Sequence, residues 1–303
     1  MRLAPQETAR FYHIWFGILR YTNSQTHIDP NFPATPRDGG ISPAIAAQLR
    51  DAFWADDILY KQFLADNPTG LSEEDLALVA SWQYRVTGTF YVLRSLQKYT
   101  VFLSTTTPAH AYGVLGLVSD IEDTLPLPPP VYTNAVLLPF GHRIIYDGLL
   151  NAYNISFGSG IRGNLQETYR NIQEREGIIT SLLPEDHIAT PEQQRKDISA
   201  RNQKVLTAFR RELGKANMSS QTAETHVATI SDFASTTLLH SEPPRGLLDL
   251  TLADVQSYLH GKSGKQPVTS FKRFLRFLTN TGRIDYSEGE NMYGYVKDMG
   301  KGD

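Results

Sequence analysis

LLDLTLADVQSYLHG, residues 247–261, and SFKRFLRFLTNTGRI, residues 270–284, carry the clearest fold information in the chain. In the first, Thr251 followed three residues later by Asp254 is a reciprocal capping pair, which predicts a helix over Leu252–His260 with Val255, Tyr258 and Leu259 on its apolar side. In the second, Phe271, Phe274 and Leu278 recur at helical spacing, while Lys272 and Arg276 share the opposite face with Arg273 beside them. Pro267 suits a first helical turn and Gly282 a helix end, so the second predicted helix runs over Val268–Thr279.

Working outward, VLTAFRREL (205–213) predicts a helix over Lys204–Leu213, and SSQTAETHVATISDFASTTL (219–238) one over Thr222–Leu239. Turn signals separate the four at Gly214, at Pro243-Pro244-Arg245-Gly246, and from Gly261 to Pro267. The expected fold of residues 201–285 is an all-α, four-helix domain.

These residues resemble the core-binding, SAM-like domain of the tyrosine recombinases (phage integrases). The match is carried by Leu213, Ser220, Thr222 and Thr225, by Phe233, by Leu250, Thr251, Asp254, Val255, Tyr258 and Leu259, and by Leu275, Phe277, Leu278 and Gly282. The resemblance covers about 85 residues and implies a module that grips duplex DNA. In that family a larger catalytic domain supplies Arg, Lys, a His-x-x-Arg motif and a Tyr nucleophile. Only twenty residues follow Arg283 here and no His-x-x-Arg occurs, so the expectation is a non-catalytic, DNA-associated protein.

Charge distribution points the same way. The net charge of -3 divides into -6 over residues 1–195, +6 over 196–283 and -3 over 284–303. A cationic segment inside an acidic chain is the electrostatic signature of a polyanion-binding module, although a solvated helix face also fits it. The candidate phosphate contacts are Lys204, Arg210, Arg211, Lys215, Lys262, Lys265, Lys272, Arg273 and Arg276, since phosphates attract Lys and Arg and such contacts position a protein without reading sequence.

At 303 residues, with 41% hydrophobic and 20% charged residues, the chain has material for two cores and is neither disordered nor membrane-like. It contains no cysteine, which excludes disulfides and thiolate chemistry and fits a cytoplasmic location. The opening MRLAPQETARFYHIWFGILRYTN is interrupted by Glu7, Arg10 and His13, so it predicts an amphipathic helix rather than a secretory or membrane segment.

Residues 1–184 are expected to form an α+β domain. Phe11, Ile14, Trp15, Ile18 and Leu19, then Ile45, Leu49 and Phe53, then Leu76, Val79 and Trp82 mark helices, the last opened by a cap at Ser72. After Gly88 come short β-rich runs: TFYVLRSL, YTVFLS, YGVLGL, TNAVLLPF, RIIYDGLL and NAYNISF. They predict an antiparallel sheet, followed by a helix over Asn164–Glu176. Leu137–Phe140 and Ile144–Gly148 are loosely similar to a stretch in a group of uncharacterised bacterial proteins, which implies no activity. Residues 185–200 have the composition of a linker or a short solvated helix, and 286–303 of an acidic tail.

Gly158-Ser-Gly160-Ile-Arg-Gly163 fits G-x-G-x-x-G, with Glu185 and Asp186 at a distance resembling the ribose-binding acid of a dinucleotide fold, but the short turns between the strands speak against a doubly wound sheet. His142, Arg143, Tyr146 and Asp147 would suit hydrolysis, yet a hairpin with alternating outward side chains explains them. Trp15, Trp54 and Trp82 are expected in the core, and Pro126–Pro130 in a stiff surface loop. The histidines lack metal-ligand spacing, so neither a metal nor a cofactor is expected. The leading function is binding of duplex DNA, connected with DNA integration or recombination, with a catalytic recombinase or another protein as possible partner. A protein-interaction module is the alternative, and a nucleotide-dependent enzyme using Gly158–Gly163 the third reading.

Overall fold

Pro5 opens the first helix, where its missing N–H costs nothing, and Glu7 reaches back to accept from the Ala4 N–H at 3.0 Å. That helix, α1 (Pro5–Thr26), buries Phe11, Ile14, Trp15, Ile18 and Leu19 as its spacing predicts. It is followed by α2 (Pro43–Trp54), α3 (Ile58–Asp66) and α4 (Glu73–Ser81), with Ser42 and Ser72 as caps of α2 and α4. The computed structural model describes residues 1–35, 40–55, 57–187, 190–216 and 218–300.

The strands are β1 (Val86–Ser95), β2 (Thr100–Ser104), β3 (Ala111–Leu115), β4 (Val131–Phe140), β5 (Arg143–Tyr146) and β6 (Asn151–Ala152). Their sheet is mixed, which corrects the antiparallel expectation: β3 and β5 pair in parallel, with Val114 opposite Ile144 and Leu115 opposite Ile145. The other pairings are antiparallel. The order β1-β2-β3-β5-β4 returns to β1, because β1 also pairs with β4, so five strands close into a ring, and β6 pairs with Thr133 and Asn134 along the same edge of β4 that β5 occupies. β2 and β3 are buried throughout, as continuous apolar runs with both faces covered would be.

One core joins the helices to the strands. Trp82, fully buried, donates its indole N–H to the Pro139 carbonyl at 3.1 Å, and its ring meets Trp15 at 5.8 Å. Trp54 stacks beside Trp15 at 6.5 Å, so the three tryptophans share one cluster. The Pro126–Pro130 run lies between β3 and β4, where Leu125 and Leu127 pack onto this core.

The chain divides into two compact units: Met1–Gln166 with Ile178–His187, and Glu167–Gly177 with the described residues from Thr190 onward. The second unit contains the end of α5 (Ser159–Arg175), then α6 (Pro191–Lys215), α7 (Ser220–Phe233), α8 (Leu252–His260), α9 (Lys265–Asn280) and α10 (Tyr286–Met299). α8 has the expected bounds, and Thr251 and Asp254 cap it reciprocally. α6 is much longer than expected: Thr190 caps it and Ile198 is buried, so most of the stretch with linker composition is helix. The acidic stretch at 286–303 also holds a helix, α10, whose Met292 and Val296 enter the core.

That core is aromatic. Phe209 of α6 meets Phe274 and Phe277 of α9 at 5.1 and 5.4 Å, and Phe233 of α7 meets Phe271 at 5.0 Å. Among the described residues, no helix is long and apolar enough to cross a membrane.

Candidate nucleic-acid interface

α9 is the most sharply divided helix of the unit. Phe271, Phe274, Leu275 and Leu278 are fully buried, while Arg273 and Arg276 are exposed and Lys272 half-buried. The three cations line a single cleft of about 420 Å³ floored by Phe209, Leu213 and Phe277. Its wall is Tyr293 of α10, a residue outside the expected set. Arg276 lies 4.8 Å from the centre of the Tyr293 ring and donates to its hydroxyl at 2.9 Å, which fixes the guanidinium plane.

Lys272 and Arg273 take part in no salt bridge among the described residues, and Arg276 binds only an uncharged phenol there. Arg273 also acts electrostatically on His226. That imidazole is buried, it shares a 2.8 Å hydrogen bond with Ser270 of α9, and burial followed by the Arg273 charge holds its pKa below the ordinary value.

The other expected contacts are dispersed. Lys204 and Arg211 line a second cleft, of about 320 Å³, together with Arg170 and Glu174. Lys204 donates to the Gln173 carbonyl at 3.3 Å, at the C-terminal end of α5, where a cation complements the free carbonyls. Burial lowers its pKa, with Glu174 opposing. Arg170 escaped the sequence reading because its helix precedes the expected domain boundary.

Arg210, Lys215 and Lys262 are each held by a carboxylate: Glu224 at 2.8 Å, Glu212 at 3.0 Å and Asp232 at 2.9 Å. Lys262 also lies 4.9 Å from the Tyr258 ring centre. Lys265 is exposed at the first position of α9 and lines neither cleft. The nine candidates thus fall into one group of three, one pair, three salt-bridged residues and Lys265.

No known protein family, curated protein or solved structure matches this chain.

In the first unit the four polar residues of the β4–β5 hairpin do not converge. His142 pairs with Asp186 at 2.7 Å, Arg143 with Glu7, and Asp147 with Arg50 at 3.3 Å. The expectation of alternating outward side chains is also corrected: Ile144, Ile145, Tyr146 and Asp147 are all buried, because the strand is covered on both sides. Burial raises the Asp147 carboxyl to about 7 against the opposing Arg50 charge, and raises the Tyr146 hydroxyl to about 12.

Gly158 immediately precedes α5, and Gly160 and Gly163 lie inside its first turns, all three exposed. Arg162 donates to the Phe157 carbonyl at 2.9 Å. The two-residue β6 comes before them, and the parallel pair β3–β5 is connected through β4 rather than through a crossover helix. The parallel strand–helix–strand crossover of a dinucleotide fold is therefore not reproduced around these glycines. Among the described residues, no group of three or more His, Asp or Glu is arranged to hold a metal ion.

Proposed function

We propose that the helical unit is a non-catalytic module that binds the phosphate backbone of duplex DNA, with α9 as its contact element. The observation that carries this reading is the convergence of Lys272, Arg273 and Arg276 on one cleft, with none of them in a salt bridge among the described residues. Backbone binding requires cations that are free to release a phosphate's counterions, and those already held by a carboxylate serve it less well. On this reading α6 to α9 form a core-binding, SAM-like arrangement of the recombinase type. The chain would then act in the cytoplasm in DNA integration or recombination, with strand cleavage left to a partner.

The test is fluorescence anisotropy of the full chain with a labelled duplex across a salt series, beside a Lys272→Ala/Arg273→Ala/Arg276→Ala variant. Each lost phosphate contact reduces the slope of log K against log salt by about 0.9, so the variant should lose two to three units of slope and at least about tenfold in affinity at low salt. Equal binding by wild type and variant, or none at low salt, rejects the proposal. A protein that co-purifies with both forms would favour the interaction-module reading instead.

A further inference from the structure

A duplex backbone lying across α9 would use the three cations and leave the cleft beneath them empty. That cleft holds about 420 Å³, within the range of roughly 300 to 1,000 Å³ in which pockets enclose small organic groups. Phe209, Leu213 and Phe277 give it apolar surface beside the Tyr293 ring, and Glu212, whose carboxylate is engaged by Lys215 at 3.0 Å, also lines it. The chemistry that needs a flat apolar surface and adjacent positive charge together is a nucleotide: the base stacks on an aromatic ring and its phosphate meets Lys or Arg. Arg276, held against Tyr293 by the 2.9 Å hydrogen bond, joins the two parts of such a site.

We infer that this cleft takes one unpaired nucleotide, so that the protein prefers DNA with a gap or an extruded base over an intact duplex. The inference rests on the DNA-binding reading and adds a substrate class to it. A base inside a duplex cannot reach the cleft, whereas an unpaired base enters without the unstacking cost of extrusion. Tyr293 is then a specificity determinant, and the cations supply affinity common to both substrates.

The experiment compares an intact duplex with the same duplex carrying a one-nucleotide bulge of 2-aminopurine, using the full chain. Anisotropy reads affinity, and the probe's emission reads stacking. Wild type should bind the bulged duplex at least fivefold more tightly and change the probe's emission. Tyr293→Ala should abolish both differences, whereas Tyr293→Phe, which keeps the stacking ring, should retain the probe's emission change. Ala216→Trp, which fills the cleft from the end of α6 and removes no cation, provides a second route to the same loss if Tyr293→Ala destabilises the fold. Equal affinity for the two duplexes overturns the inference while leaving backbone binding intact, and absence of binding to either overturns both.

Discussion

Arg283 and Glu174, 109 residues apart, form a bidentate ion pair at 2.7 and 2.8 Å with both side chains buried. Gly282, at φ 63°, ends α9 in the left-handed conformation and lets the Arg283 N–H bond the Leu278 carbonyl at 2.9 Å. The guanidinium then lies over the Phe277 ring at 4.8 Å, and Arg175 donates to the Arg283 carbonyl at 2.7 Å. Glu174→Ala should cost about 3 to 5 kcal/mol in urea unfolding, because it leaves a buried charge alone, and a Glu174→Leu/Arg283→Met double variant should recover most of that loss. A small loss in the single variant would show the pair to be solvated.

Gly289 of α10 faces Thr279 of α9 so closely that a methyl group at Gly289 would sit 2.1 Å from the Thr279 hydroxyl oxygen. Gly289→Ala should therefore lower stability by about 1 to 3 kcal/mol through overpacking, despite alanine's better helix propensity. Adding Thr279→Ala should restore part of it, measured as the shift in Tm of the double variant against each single one.

Asp147 gives a pH dependence of defined sign. Its folded-state pKa of about 7 lies above the ordinary carboxylate value, so between about pH 4 and 7 the folded state binds the extra proton and stability falls as pH rises. Asp147→Asn should flatten this decline, with the two proteins diverging most near neutrality. Denaturation midpoints at pH 5 and pH 8 for both proteins check it, and parallel pH profiles would refute it.

The second basic cleft provides a control for the proposed DNA contact. Lys204 is engaged with the Gln173 carbonyl, and Arg210 and Lys215 with carboxylates. Lys204→Ala should therefore lower the melting temperature while changing duplex affinity less than about twofold, unlike the α9 variant. Equal loss of affinity from both variants would extend the interface onto α6.

Local signals carried well where the determinants are local. The Thr251–Asp254 pair placed α8 with its exact neighbours, and the apolar spacing of Phe271, Phe274 and Leu278 identified the buried face of α9. The Lys272, Arg273 and Arg276 group was legible for the same reason. Tyr293 was not, because YSEGENMYGYVKDM offers two buried apolar side chains, Met292 and Val296, among acidic residues and two glycines. Arg283 resembled any other surface cation, since its partner lies on a helix more than a hundred residues earlier. The parallel β3–β5 pair left no trace in the sequence because apolar runs buried on both faces lack the alternation that reveals orientation and register.

The return of β4 to β1 also bears on aggregation. Each strand of the ring has a hydrogen-bonding neighbour on both sides over part of its length, and the two-residue β6 continues the edge of β4 that β5 begins. Fibril-type growth begins by adding a foreign strand to an open backbone edge, and closure of the ring shortens such edges among the described residues.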